Sequence, residues 1–210
     1  MKSFLIRPAV ALALAAALSA CGGSDKAEFT VKGTVTGVVY PGGVLTTNGM
    51  TVALTPPATP GGTISFEFPN TLEYGDVYDV QFTSYPANQT CGPDSNQIQN
   101  NNDTAGRLAS IDITLACVLN SYALGGTITG LTADGLVIAN GSNTGTLTVG
   151  KPTDTTPFTY TMPNVNYGVT YSITVVQQPT GQTCTVANGT GTMAAANVTN
   201  ANITCVNNPV

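Results

Sequence analysis

The run Tyr74-Gly75-Asp76-Val77-Tyr78 and the triplet Gln89-Thr90-Cys91 are written a second time, as Tyr167-Gly168-Val169-Thr170-Tyr171 and Gln182-Thr183-Cys184. The interval is 93 residues in each case, and it also separates Gly33 from Gly126 and Pro86 from Pro179. A further cysteine closes each copy, Cys117 and Cys205, and there the interval falls to 88. The chain is one module written twice. The five missing residues come from the loop between the cysteines, where Thr185 to Ala196 replaces the Asx-rich stretch Asp94 to Asp103, as expected if scaffold strands are kept and loops vary. Four cysteines allow three pairings, and the duplication selects Cys91 with Cys117 and Cys184 with Cys205. Closing loops of this size contributes about 3.5 kcal/mol each in the chain-entropy account.

Within each copy the apolar residues alternate. Phe29, Val31 and Val35 lie on one side of an opening strand, and Ile111, Ile113, Leu115 and Cys117 on one side of a closing strand, the period of a half-buried β-strand. Asn48-Gly49 signals a hairpin between Val44-Leu45 and Met50 to Leu54. Pro56 to Gly62 reads as a loop. Ile64, Phe66 and Phe68 share the face of a strand that ends at Pro69-Asn70. Tyr78, Val80 and Phe82 oppose Asp79, Gln81 and Thr83, and the tyrosines read as core residues with their hydroxyls at the rim. Asp94 to Asp103 reads as a polar loop. With six or seven short strands per copy and no helical periodicity, the expected class is all-β: two tandem antiparallel Ig-like β-sandwiches. No Gly/Ser or Pro linker separates them near Val118 to Ser121, so they should be closely joined.

The chain starts with a segment of another kind. Lys2 and Arg7 precede an apolar run, Ala9 to Leu18, and small residues follow, the plan of a signal peptide. The run is half of the roughly 20 residues a spanning helix needs. Leu18-Ser19-Ala20-Cys21 resembles the lipobox of bacterial lipoproteins, which implies cleavage before Cys21 and its lipidation. An unpaired fifth cysteine in an oxidising compartment fits that resemblance, and two or three acyl chains suffice for stable anchoring. Gly22 stands where an inner-membrane retention signal would place Asp, so the resemblance implies the outer membrane. The expected organisation is 1–20 signal peptide, 21–28 lipidated cysteine and tether, 29–118 first module and 119–210 second module. Fully extended, the tether from Cys21 to Phe29 reaches about 27 Å, which keeps the first module near the membrane.

Beyond residue 20 the chain holds four bases (Lys26, Lys32, Arg107, Lys151) against eleven acids, net −7. That balance excludes a phosphate-backbone partner, so no nucleic acid is expected. The charge is uneven, with seven acids between Phe29 and Val118 and two from Leu119 onward. Charged residues are 8% of the chain, so the polar surface must be Thr, Asn, Ser and Gln. The 42% hydrophobic content in regular alternation argues against disorder.

The words of the second copy, Gln178-Pro179-Thr180-Gly181-Gln182-Thr183-Cys184, Asn188-Gly189-Thr190-Gly191-Thr192 and Asn197-Val198-Thr199-Asn200 ahead of Ile203-Thr204-Cys205, resemble a disulfide-paired repeat of proteobacterial cell-surface lipoproteins. The first copy matches more loosely, with Asp94 to Asp103 in place of the Asn-Gly-Thr-Gly segment. The resemblance implies an envelope protein and carries no catalytic or ligand residues with it.

The chain contains no histidine, which excludes Ser-His-Asp and Cys-His nucleophile pairs and His-based metal centres. Glu67, Glu73, Asp76 and Asp79 are the only acids near enough in sequence to suggest a glycosidase pair, and alternating exposed strand positions explain them equally well. Asp94, Asn96, Asn101, Asn102 and Asp103 form a candidate binding loop whose oxygens suit Ca²⁺, with Asp94 and Asp103 as its carboxylates; Asx turns also favour these residue types. Tyr40, Tyr74, Tyr85, Tyr122 and Tyr167 could build a glycan platform if exposed and coplanar. The reading is a non-enzymatic lipoprotein without cofactor, anchored to the membrane through its N-terminal lipid and facing the periplasm or the cell surface. It would serve as a structural or protein-interaction module with a protein partner at the cell envelope. The alternative is a glycan- or Ca²⁺-binding module acting through the loops of the first copy.

Overall fold

The computed structural model describes residues 26–96, 100–141, 144–154 and 156–209. The signal peptide, Cys21 and most of the tether therefore lie outside the described residues. The first copy contributes β1 (Glu28–Thr36), β2 (Val44–Thr47), β3 (Met50–Ala53), β4 (Ile64–Glu73), β5 (Val77–Asp79), β6 (Gln81–Ser84), β7 (Gln89–Pro93), β8 (Asn102–Thr104) and β9 (Ile111–Leu119). The second contributes β10 (Ser121–Thr129), β11 (Leu136–Asn140), β12 (Thr144–Val149), β13 (Phe158–Asn166), β14 (Thr170–Gln177), β15 (Gln182–Ala187), β16 (Thr190–Thr192) and β17 (Asn202–Asn207). No helix occurs among the described residues.

One sheet of the first copy runs β4-β1-β9-β7, and the matching sheet of the second runs β13-β10-β17-β15. The opposite layer is β12-β11-β14-β16 in the second copy. In the first it is divided into β3-β2-β6 and β5-β8, because the single strand β14 is represented there by the consecutive pieces β5 and β6. Each pair of layers encloses its own core. Val31, Leu45, Phe66, Ile113 and Leu115 lie in the first, and Leu124, Ile128, Ile138, Met162 and Ile203 in the second. Fully burying one such side chain is worth about 1.5–3 kcal/mol, so the alternation read in the sequence is also the main favourable term in folding. The Asn48-Gly49 hairpin forms as expected, with φ of 48° and 74° at its two central residues.

The sandwich class holds, and three local departures have physical causes. The closing strand β9 lies parallel to β1 over six pairs, Val31↔Ile111 to Thr36↔Ala116, and β17 lies parallel to β10; the other ladders are antiparallel. Alternation has period two in either orientation and cannot tell them apart. Secondly, β4 does not stop at Pro69 but runs on to Glu73, and β13 runs through Pro163. Both are edge strands, and their ladders slip beside the prolines, between Thr30 and Lys32 and between Tyr122 and Leu124. A residue without an N–H is tolerated at an edge bulge. Thirdly, nine and eight strands form where six or seven were expected, since pieces as short as β5, β8 and β16 have too few residues for a periodic signal.

The disulfides join Cys91 to Cys117 and Cys184 to Cys205. Each links directly paired residues of neighbouring strands, β7 to β9 and β15 to β17, so both lie within a sheet rather than between layers. Gly37 and Gly130 sit behind them at φ 77°, where a Cβ would come within 2.1 Å of the Cys117 carbonyl oxygen and 2.3 Å of that of Cys205. No other residue fits both that conformation and that space.

Gln89 and Gln182, the first residues of the duplicated triplet, are buried. Gln89 Oε1 accepts from the backbone N–H of Val39 (2.7 Å) and Tyr40 (3.0 Å), while its Nε2 donates to the Gly37 carbonyl (2.7 Å). Gln182 does the same for Thr132 (2.8 Å), Ala133 (3.2 Å) and Gly130 (2.8 Å), and donates also to Asn207 Oδ1 (3.0 Å). Each glutamine thus supplies the partners that the loop after the opening strand cannot find in a ladder.

A single residue, Asn120, separates β9 from β10. Its N–H donates to Asn88 O (2.9 Å), its Oδ1 accepts from Thr90 Oγ1 (2.7 Å) and its carbonyl accepts from Tyr167 N–H (2.8 Å). Tyr40 meets Tyr167 edge-on, with ring centroids 5.6 Å apart. At the far end of the second module Asn208 repeats half of this joint: its N–H donates to Gly181 O (2.9 Å) and its Oδ1 accepts from Thr183 Oγ1 (2.7 Å).

Candidate functional site

The candidate binding loop is divided by the fold. Asp94 follows β7 and closes an Asx turn, its Oδ1 accepting from the Asn96 N–H at 2.9 Å. Asn101 belongs to the opposite layer, where its carbonyl accepts from Val80 N–H (2.7 Å). Asn102 and Asp103 are not loop residues: they lie in β8, opposite Asp79 and Tyr78 of β5. Residues 97–99 lie outside the described residues. Asp103 Oδ1 accepts from Thr104 N–H (2.7 Å) and Arg107 Nη1 (2.9 Å). Among the described residues no three His, Cys, Asp or Glu side chains come together as a metal site, whereas Ca²⁺ takes 6–8 oxygen ligands. The oxygens of Asp94, Asn101 and Asp103 hold strands and turns in place instead.

Three of the four remaining acids considered are likewise engaged. Glu73 pairs with Lys26 at 2.6 Å, Asp76 Oδ2 accepts from Glu73 N–H at 2.9 Å, and Asp79 accepts from the Gln81 side-chain amide. Glu67 stands on an exposed position of β4. The hydrogen bond to Glu73 and its charge hold the Lys26 ammonium above its ordinary range.

The five tyrosines of the candidate platform go to separate places. Tyr74 is 74% exposed and lies over Gly106, Tyr85 stacks on Phe82, Tyr122 packs against the second core, and Tyr40 and Tyr167 meet at the joint. Core placement holds for Tyr78 and Tyr160 and fails for Tyr74 and Tyr85. Burial raises the Tyr78 hydroxyl above its ordinary range, with Asp103 adding to it, and pushes Tyr160 up to about 12. Tyr160 donates its proton to the Ala201 carbonyl at 2.5 Å.

A concavity lies in the second module, at the end nearest the joint. It is an open groove of about 730 Å³ between the end of β13, the start of β14 and β16. Asn164, Asn166, Thr170, Tyr171 and Gly191 contribute to its wall, together with Asn140, whose Oδ1 accepts from Ser172 N–H at 2.9 Å. Among the described residues no charged side chain lines it. Sequence reasoning placed the candidate site in the first copy and missed this groove. The signal was there in the loss of acids from Leu119 onward, but it needs the strand pairing to become a place.

No family model matches the chain and no curated protein matches it. Among solved structures it is similar to the Bacillus anthracis TIE protein, with TM-score 0.45 and 16% identity over 85% of this chain; the chain spans 34% of the length of that protein. A major pilin protein of Streptococcus pyogenes (T3.2) aligns over 88% of this chain and 98% of its own, at TM-score 0.30 and 11% identity. A streptococcal ancillary pilin aligns over 87% of this chain and 63% of its own, at TM-score 0.26 and 15% identity. Likeness at this distance carries no argument about activity or partners.

Proposed function

We propose that the chain is a non-enzymatic lipoprotein of the bacterial cell envelope, held in the outer membrane through Cys21, whose tandem sandwiches act as a stiff spacer and protein-interaction module. The observation that carries this reading is the joint: one residue, bonded on both sides, with an aromatic contact across it. Two domains connected in this way hold a fixed relation, which suits a part that presents a surface at a set distance and contrasts with the mobile linkers of domains that close on a substrate. The absence of histidine from the sequence and the engagement of Glu73, Asp76, Asp79 and Asp103 support the non-enzymatic part.

Strand addition is the interaction mode that the sheets favour. Pro69 and Pro163 blunt the edges at β4 and β13, whereas β3 and β12 are edge strands with neither charge nor proline. Cross-linking in intact cells, with identification of what is captured and surface-protease accessibility read in the same preparation, tests facing and partner together. The expected result is capture of an envelope protein through residues of β3 or β12. Capture of nothing would sink the interaction role. Labelling with an alkyne-bearing palmitate tests the anchor: Cys21→Ala should lose the label and leave the membrane fraction, and a variant still in the membrane would refute it.

A further inference from the structure

The positions that form the groove of the second module have counterparts in the first, and position by position the two differ in charge. Asn166, Val169, Ser172 and Gly191 stand where the first module has Glu73, Asp76, Asp79 and Asp103, and Ala195 stands where it has Arg107. The backbone beneath is the same. Tyr171 pairs with Gly191 as Tyr78 pairs with Asp103, and Asn140 Oδ1 receives Ser172 N–H as Thr47 Oγ1 receives Asp79 N–H (3.2 Å). In the first module Tyr78 is 2% exposed beside the Asp103–Arg107 ion pair. In the second Tyr171 is only partly buried, and its hydroxyl lies 2.6 Å from where a Cβ on residue 191 would be. Glycine at 191 is therefore what lets the ring lie across β16.

We infer that this groove binds a neutral carbohydrate, independently of the spacer role. Its wall offers side-chain amides and hydroxyls around one aromatic ring. Among the described residues, the side chains of Asn164 and Asn166 and the Tyr171 hydroxyl make no hydrogen bond, while Asn140 Nδ2 remains beside its committed oxygen. An amide presents a donor and an acceptor side by side, which matches neighbouring sugar hydroxyls, and the tyrosine face takes the apolar C–H face of the ring. A charged ligand would find no counter-ion among the described residues of the wall. A peptide strand would have only the three residues of β16 to pair with. The volume, about 730 Å³, falls within the ~300–1,000 Å³ of ligand sites, and its openness to solvent suits a chain passing through it.

The test is titration of the purified full-length protein with maltohexaose, cellohexaose and chitohexaose, read by calorimetry and by the side-chain amide signals of Asn164 and Asn166. Saturable binding of at least one is expected, at a Kd of about 0.1–1 mM. Tyr171→Ala and Gly191→Asp should each weaken it about tenfold, whereas Asp103→Gly in the first module should leave it unchanged. Asn166→Ala, at an exposed position, gives the same reading without disturbing the core. No saturation by any of the three at about 10 mM, or binding untouched by Tyr171→Ala, Gly191→Asp and Asn166→Ala, overturns the assignment. Loss of all binding here would leave the captured partner of β3 or β12 unaffected, so the two proposals fail separately.

Discussion

The two modules agree in what ties the backbone together and differ in what faces water. Both place a buried glutamine over the loop after the opening strand, a left-handed glycine behind an in-sheet disulfide, and an asparagine at the exit of the closing strand. They differ in how that closing strand is held. In the first module β9 forms a continuous parallel ladder with β1. In the second the approach to β17 is irregular, and side chains stand in: Asn197 Oδ1 accepts from Ala123 N–H at 2.9 Å and Asn202 Oδ1 from Thr127 N–H at 3.0 Å. Backbone polar groups must be satisfied whatever the sequence, so that part of the design resists divergence. The same backbone carries Glu73, Asp76, Asp79 and Asp103 in one copy, the first three exposed and Asp103 half-buried, and no acid at the matching positions of the other.

The largest effect should come from the disulfides. Replacing Cys91 and Cys117, or Cys184 and Cys205, by serine should each cost about 3.5 kcal/mol. Hydrogen exchange resolved by peptide should localise each loss to its own module; a loss shared equally would show that the two copies unfold as one unit. Next come the glutamines. Gln89→Ala and Gln182→Ala each leave two backbone N–H groups and a carbonyl without partners, a loss of about 2–4 kcal/mol by denaturant unfolding. Gln182 should be the worse of the two, because it also holds Asn207. Equal losses would mean that this fourth bond contributes nothing.

A smaller contrast lies beneath the edge strands, where Tyr160, paired with Gly126, and Ala201 take the places that Phe66, paired with Gly33, and Ile113 hold in the first module. Tyr160→Phe should cost about 1 kcal/mol. The folded state raises the pKa of this hydroxyl to about 12, against about 10 for an unperturbed tyrosine. The stabilisation is therefore intact below about pH 10 and declines as pH rises toward about 12. Unfolding measured across that window should be flatter in Tyr160→Phe. The reciprocal Phe66→Tyr should destabilise, since Ile113 fills the place that Ala201 leaves open. The smallest effect is at Lys26, whose partner Glu73 has Asn166 as its counterpart. Both side chains of this pair are largely exposed, and Lys26→Ala should leave thermal stability unchanged at physiological salt. A measurable drop would show that the first module depends on charge in a way the second does not.

Much of this architecture could be read before any coordinates. The alternation from Ile111 to Cys117 places a buried strand, the 93-residue interval carries β1 to β7 onto the second copy to within a few residues, and the 88-residue interval carries β8 and β9. The orientation of β9 against β1 could not be read, because the side-chain pattern of a strand is the same whichever way its neighbour runs. Nor could the course of β4 through Pro69, which depends on that strand lying at an edge. Asp103 looked like a loop ligand because three-residue strands leave no periodic trace. The groove was hidden for a different reason. It is made by side chains too small to fill the space between β13, β14 and β16, and a missing side chain becomes an opening only when strands distant in sequence are brought together.

The two hydrogen bonds that tie Asn120 to its own module recur at Asn208, but Tyr40 has only Ala133 as its counterpart. The intramodule bonds of the joint thus belong to the module itself and are already in place before any neighbour arrives, while the bond to the next module and the aromatic contact form with the pair. Copy number then becomes an adjustable length. Each further duplication would inherit the direction in which the next unit leaves, and would need only one aromatic substitution at the position of Ala133 to lock it.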